Sequence, residues 1–444
     1  MIRVDVSISS AMTDPFEQAK QLFFQGLQEF EAGRLQEAER AFEGSLQLLP
    51  GRVSTLVNLG ATKLRLGKPQ EALGPLEQAL GQEPGDRDAW CHHSEALARL
   101  GRFDDSLVSC DKALAIDAGC HPAWRGRAMV LTRLHRYEDA LAALDRLTEL
   151  VPGHGETWQL RGQALQKLAR HDEALICYDK ALALDPNLAP AWALRGGILK
   201  DQKRFDEAIE CFRQAISHGG DPELNGYFLA SLQGSDAPAT APRHYVQSLF
   251  DDYADHFDEH LMNVLRYEAP RFLVDNLAGV GPERFAAALD LGCGTGLCGP
   301  LIKPRVQQLD GVDLSPRMLD KARSLGVYER LLQDDLIAHL QSTPQRYDLV
   351  LSADVFIYVG DLEPVFAGVS RVMDRGGVFC FSAEEAAYEH TFLLNAHQRY
   401  AHSGRYVRQL AARHGFEVVK MPRHAIREDQ REPIPGMYSY LMKT

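Results

Sequence analysis

The run Leu289-Asp290-Leu291-Gly292-Cys293-Gly294-Thr295-Gly296 carries the most concentrated chemistry in this chain. Glycines at alternate positions let a main chain approach a ligand more closely than any Cβ would permit. Ahead of them Phe285 to Leu289 is apolar enough for a short strand, and Leu297 to Ile302 can open a helix. A strand that turns through glycines into a helix aims backbone N–H groups and a positive helix end at whatever lies above it. Asp290 adds a carboxylate at the strand's carboxyl end, where open α/β sheets bind ligands. Two ligand chemistries fit. Gly294-x-Gly296-x-x-Gly299, with Asp313 downstream, has the spacing of a dinucleotide fingerprint. A carboxylate beside the turn favours instead a ligand with ammonium and sulfonium charge, and would repel a pyrophosphate.

The fuller string Asp290-x-Gly292-x-Gly294-x-Gly296 resembles motif I of the class I S-adenosylmethionine-dependent methyltransferases. The resemblance implies that the amino-acid end of S-adenosylmethionine rests on Gly292, Gly294 and Gly296 beside Asp290. Gln308 to Asp313 reads as a second strand, and Asp313, followed by Leu314, takes the ribose hydroxyls. Ser315-Pro316 then caps a helix that begins at Arg317. Tyr328 to Gln333 is a third strand ending in Asp334-Asp335-Leu336. One of these acids accepts from the adenine amino group while a following backbone N–H meets the ring, and the family pattern favours Asp335. Tyr347 to Ser352 is the fourth strand, and it delivers Ala353-Asp354 to the region where the family's motif IV lies beside the transferable methyl. Val355-Phe356 departs from the Asn/Asp-Pro-Pro-Tyr of amino-group methylases, which argues against a DNA or glutamine acceptor. Gly376 to Ser382, Phe416 to Met421 and Met437 to Met442 complete a parallel sheet of right-handed βαβ units, the last strand antiparallel.

Two further segments bear on the site. Aromatics at Tyr245, Phe250, Tyr253 and Phe257 recur near helical spacing, as in a helix that folds over the cofactor or one that packs on the sheet. Tyr253 is the contact expected under the first reading. The stretch from Glu384 to Ser403 is longer than a plain connection. Its string Arg399-Tyr400-Ala401-His402-Ser403, with the aromatic segment, resembles predicted methyltransferases that carry tetratricopeptide repeats in the same chain. Tyr400, His402 and Asp354 are the candidates to take a proton from an oxygen or nitrogen nucleophile. The alternative is that Tyr400 and His402 only line or close the site. His256 is a lone histidine in an acidic helix, a solvated position rather than a catalytic one.

The first half has a different logic. Trp90, Trp124, Trp158 and Trp192 stand 34 residues apart, the period of the tetratricopeptide repeat with its two antiparallel helices. Gly26, Gly60, Gly162 and Gly196 hold the close-packing site, and Ala38, Ala72, Ala140, Ala174 and Ala208 the small site of the second helix. Pro50, Pro84, Pro152 and Pro186 end units. The expected organisation is therefore an extension over residues 1–18, and an all-α solenoid of six repeats plus a capping helix over 19–232. A Pro-rich linker over 233–242 and a Rossmann-like α/β methyltransferase domain over 243–444 follow. Cutting in the linker should release two folded pieces. Arg127, Arg161 and Arg195 recur at one site, either as a basic ladder for an acidic peptide or as stems packing along the neighbouring unit.

A net charge of −13 argues against a nucleic-acid backbone as the main partner, since phosphates want a basic footprint. The eight cysteines form no C-x-x-C pair and no zinc spacing, so no metal is expected. They read as reduced thiols, and the absence of an apolar leader or an 18-residue apolar run points to the cytoplasm and no membrane. The expected activity is methyl transfer from S-adenosylmethionine to a protein or peptide recruited by the repeats. The alternatives are a small-molecule methyltransferase that uses its repeats for assembly, and a non-catalytic adaptor.

Overall fold

The structure, a computed structural model, describes residues 14–234, 237–255, 257–263, 265–387, 389–429 and 432–444. Most of the N-terminal extension, and His256, lie outside the described residues. The chain forms two compact units, one ending at Arg204 and one running Phe205–Thr444.

Helices alternate through the first unit from Pro15–Glu31 to Ala189–Asp201, each closed by a short turn. The repeat anchors explain the pairing. A Cβ on Gly162 would stand 2.6 Å from the Tyr178 ring, and one on Gly60 2.5 Å from Leu76, so the paired helices close to a distance that only a missing side chain permits. Each tryptophan donates its indole N–H to a carbonyl six residues earlier, Trp90 to Pro84, Trp124 to Ala118, Trp158 to Pro152 and Trp192 to Pro186. The recurring arginines form a ladder of ion pairs, Arg127 to Asp111 at 3.2 Å, Arg161 to Asp145 at 2.7 Å and Arg195 to Asp179 at 2.8 Å. Their charge is spent between successive units, which favours the packing reading over an open basic ladder.

The second unit is built on one mixed sheet. Its strands are β1 Phe285–Leu291, β2 Val306–Asp313, β3 Arg330–Gln333, β4 Tyr347–Ser352, β5 Met373–Glu385, β6 Phe392–Leu394, β7 Tyr400–His402, β8 Phe416–Lys420, β9 Arg423–Asp429 and β10 Glu432–Lys443. The order is β3-β2-β1-β4-β5-β10-β8, with β1 to β5 parallel and β10 antiparallel to both of its neighbours. Both faces are buried. Val350 packs with Phe366 and Phe379 on one side, while Leu349 and Leu351 join Leu309 and Tyr440 on the other.

Three strands were not legible in the sequence. β6 and β7 are three residues each, too short for an alternation to register, yet β7 pairs Ala401 with Glu384 of β5. β9 is rich in charge, and the last strand starts at Glu432 rather than Met437, its two prolines absorbed at a bulge.

The expected linker is also different. Ala239 accepts from the N–H groups of Gly360 and Asp361 at 2.8 and 2.9 Å, Thr240 bridges Val359, and Ala241 donates to Tyr358 at 2.9 Å. The helix Pro222–Gln233, expected as a repeat cap, buries Tyr227, whose hydroxyl donates to the Gln398 carbonyl at 2.5 Å. Tyr400 in turn donates to Pro238 at 2.7 Å. Small polar residues read as a hinge because their side chains have nothing to bury, but here the backbone is what is bonded.

Candidate functional site

β1 ends at Leu291 and the chain turns through Gly292, Gly294 and Gly296, all with positive φ, into the short helix Gly299–Ile302. At Gly294 φ is 56° and a Cβ would meet nothing within 4 Å, so the turn presents bare backbone to open space. The Gly294 N–H donates to Asp313 Oδ2 at 2.8 Å, and the Ser315 N–H to Asp313 Oδ1 at 2.9 Å. Those two bonds fix the carboxylate at the end of β2 beside the glycine turn. The Leu314 N–H also acts on this carboxylate, whose four lone-pair sites exceed the three donors. Burial pushes the Asp313 carboxyl up from its ordinary value, and the N–H groups of Ser315 and Gly294 act in the opposite direction.

Asp290 is placed differently. Only 1% of it is exposed, and its Oδ2 accepts from the Tyr328 hydroxyl at 2.8 Å. Burial raises its carboxyl to about 7, against the bond from Tyr328. It supports the turn from below.

Helix capping gives the two acids of the Asp334-Asp335 doublet different local partners. Asp335 Oδ1 accepts from the N–H groups of Ile337 and Ala338, both at 3.0 Å, and so caps the helix Leu336–Ser342. Asp334 accepts from the Asp335 N–H at 2.8 Å and keeps its other oxygen 3.9 Å from His339. Leu336 packs into the core under this corner, and Leu314 into the aromatic cluster around Tyr227.

The helices Arg243–Tyr253 and Phe257–Asn263 cross the carboxyl ends of the strands. Asp258 accepts from the Thr295 hydroxyl at 2.6 Å, and Asp251 from the Ser315 hydroxyl at 2.5 Å. Arg317 reaches Asp255 at 2.5 Å, and Phe250 meets Tyr358 edge-on at 5.5 Å. Tyr253 sits within this cover, its ring 5.3 Å from Phe257. The aromatic stripe thus belongs to a segment pinned to the glycine loop and to the end of β2, with Phe257 also packed against the core on one sheet face.

The three candidate bases do not come together as a base. His402 is fully buried, its Nε2 lying 2.9 and 3.0 Å from the Val359 and Gly360 carbonyls. Burial lowers its pKa to about 4, against the pull of those carbonyls. Tyr400 is fully buried and committed to Pro238. Both brace the turn after β4. Asp354, with φ 57°, receives both bonds of an Arg427 fork nitrogen at 2.8 and 2.7 Å, and the same guanidinium pairs with Glu384. Arg427 is a site residue that the sequence reading missed. Its partner Asp354 lies far away in the chain, and the only local signal is an arginine next to the buried Ile426. Ala353 accepts from the Tyr267 hydroxyl at 3.4 Å.

A family model for a methyltransferase domain matches residues 289–381, and tetratricopeptide-repeat models match 121–164, 155–188 and 189–217. A model for a bacterial transcriptional activator domain matches residues 3–122. Methyltransferase-like protein 27 of Homo sapiens is 42% identical over 85 residues, 18% of this chain and 34% of that protein. A ubiquinone biosynthesis O-methyltransferase of Serratia proteamaculans is 28% identical over 164 residues, 36% of this chain and 66% of that enzyme. The chain thus spans about a third of the human relative's length. The solved magnesium protoporphyrin IX methyltransferase from Synechocystis PCC 6803, with bound SAH, covers 46% of this chain and 100% of its own at 14% identity and TM-score 0.37. No helix among the described residues is long and apolar enough to cross a membrane. This chain thus combines tetratricopeptide repeats, matched within residues 121–217, with a domain that matches the methyltransferase model over residues 289–381.

Proposed function

We propose that this protein is an S-adenosylmethionine-dependent methyltransferase whose repeats recruit a protein or peptide acceptor in the cytoplasm. The observation that carries the reading is Asp313, fixed at the end of β2 beside the glycine turn by the Gly294 and Ser315 N–H groups with acceptor capacity to spare. Two vicinal hydroxyls suit such an acceptor. Asp335 or Asp334 then takes the adenine amino group, since each has only its Oδ1 engaged by backbone N–H groups. The bare backbone at Gly294 accommodates the amino-acid end. S-adenosylmethionine, when bound, supplies an electrophilic methyl on a sulfonium.

The residues of this chain position and exclude. Displacement at a methyl group is in-line, so orientation and removal of water do most of the work. Asp251 and Asp258 hold the cover on the loop, and Arg427 fixes Asp354 at the end of β4. Tyr400, His402 and Asp354 are each committed to other partners, which favours an acceptor that arrives already nucleophilic. The repeats supply affinity through many shallow contacts.

The test is transfer of a labelled methyl group from S-adenosylmethionine to material retained on the full chain. Label in a protein band supports the reading. Label only in small molecules favours a small-molecule acceptor with the repeats used for assembly. Cofactor binding without any transfer would favour an adaptor.

A further inference from the structure

The third repeat departs from its neighbours. Other units set a glycine against a bulky side chain, Gly60 against Leu76 or Gly162 against Tyr178, whereas here Ser94 faces Cys110 and Ser106 takes the small site of the second helix. Ser94 Oγ lies 2.9 Å from both Ser106 Oγ and Cys110 Sγ, and Ser106 Oγ donates to the Ser94 carbonyl at 2.8 Å. Hydroxyls and a thiol thus fill a joint that a ring or a leucine fills elsewhere, so less apolar surface leaves water there. At the seam between this unit and the fourth, two thiols meet. Cys91, on the helix Arg87–Arg99, has its sulfur 3.4 Å from that of Cys120, the residue that precedes the helix His121–Arg133.

The segments that carry the two thiols are already tied together. Arg87, one turn before Cys91, donates from Nη1 to Asp117 Oδ2 at 2.8 Å. The Cys120 N–H in turn donates to the Asp117 carbonyl at 3.0 Å. Cys120 has extended backbone, with φ −68° and ψ 98°, so its side chain is not committed to the helix that follows. Trp90, Ala113, Leu114 and Ala123 pack around the pair. Cys120 is buried and Cys91 only half-buried, which makes Cys91 the point of entry from solvent.

We propose that Cys91 and Cys120 form a reversible dithiol–disulfide site, oxidised by a hydroperoxide, whose bridge locks the third repeat onto the fourth. The Cys91 sulfur, once its proton has gone to solvent, attacks the terminal oxygen of the peroxide. The O–O bond breaks, Cys91 becomes a sulfenic acid, and the other oxygen takes up a proton and leaves as water or an alcohol. The Cys120 sulfur then attacks the Cys91 sulfur. The S–S bond forms, the S–O bond breaks, and hydroxide leaves with the Cys120 proton as water. The two thiols together have lost two electrons and the peroxide has gained them. Two equivalents of a small thiol reverse the bridge and restore both cysteines. Burial, with Cys120, Asp88 and Cys110 adding to it, pushes the Cys91 thiol up from its ordinary value, so bridging quickens as pH rises. A cross-link between neighbouring units restrains their separation, and it matters most at a joint with a polar core.

The test treats the reduced full chain with hydrogen peroxide, blocks remaining thiols with N-ethylmaleimide and digests with trypsin in the absence of reductant. Cys91 then falls in the peptide Asp88–Arg99, Cys120 in Ala113–Arg125 and Cys110 in Phe103–Lys112. The expected product is the first two peptides joined, two hydrogens lighter than their sum and released by dithiothreitol. It should form faster at about pH 9 than at about pH 7. Amide exchange over residues 87–133 should slow by about three- to tenfold on oxidation and recover on reduction. Cys91→Ser and Cys120→Ala should each abolish both the joined peptide and the slowing. Absence of the joined peptide in the parent chain, a bridge through Cys110 instead, or a bridge that leaves exchange unchanged would overturn the proposal.

Discussion

Asp290 lies under the glycine turn at 1% exposure, and burial raises its carboxyl from 3.8 to about 7. The sign follows from linkage. Below about pH 4 both the folded and unfolded states hold the proton, and there is no penalty. As pH rises toward 7 the unfolded chain loses the proton first, so stability falls, and above 7 the penalty is complete. Its ceiling is on the order of 4 kcal/mol. Asp290→Asn should therefore have a flatter stability profile between pH 4 and 7 and exceed the parent at pH 8, as measured by chemical denaturation. A parent whose stability does not decline across that window relative to the variant would contradict this. At the same scale, Asp313 was legible because strand end, glycine turn and acid are close in sequence. His402 was not legible. Its residue type suggests chemistry, but type does not reveal that the ring is spent on the Val359 and Gly360 carbonyls.

Elements carry what residues cannot. β9 brings Arg427 to two carboxylates, Asp354 from the end of β4 and Glu384 from β5. Burial opposes the arginine's charge, and the two acids more than offset it, raising its pKa. Removing the cation leaves two buried carboxylates facing each other, so Arg427→Met should cost about 3–5 kcal/mol by denaturant titration. Adding Glu384→Gln should recover part of that loss. A cost under about 1 kcal/mol would mean that the cluster is wetter than it looks. The strapped segment makes a second element-scale claim. A chain beginning at Phe205 keeps Tyr227 and the Ala239–Ala241 backbone bonds, whereas one beginning at Arg243 loses them. The shorter piece should melt roughly 10 °C lower, from the loss of one large buried aromatic and its bonds. Equal melting points would restore the segment to a plain linker. Here the parallel core strands were readable as apolar runs bounded by turns. The hairpin of β6 and β7 and the polar β9 were not, because their places are set by partners far along the chain.

For the whole molecule, the 34-residue register of tryptophans, glycines and alanines made the repeats legible, since each anchor answers to its own unit and its neighbour. What the array holds is not written in that register, because the anchors describe packing and leave the partner free. The cofactor is the firmer claim, and one titration tests it. Calorimetry of S-adenosylmethionine into the full chain should give one saturable site, and Asp313→Ala should weaken it by about ten- to a hundredfold, the worth of one charge-assisted acceptor at roughly 1.5–3 kcal/mol. Unchanged affinity in a folded Asp313→Ala protein, or tight binding of NADH in place of S-adenosylmethionine, would contradict the account.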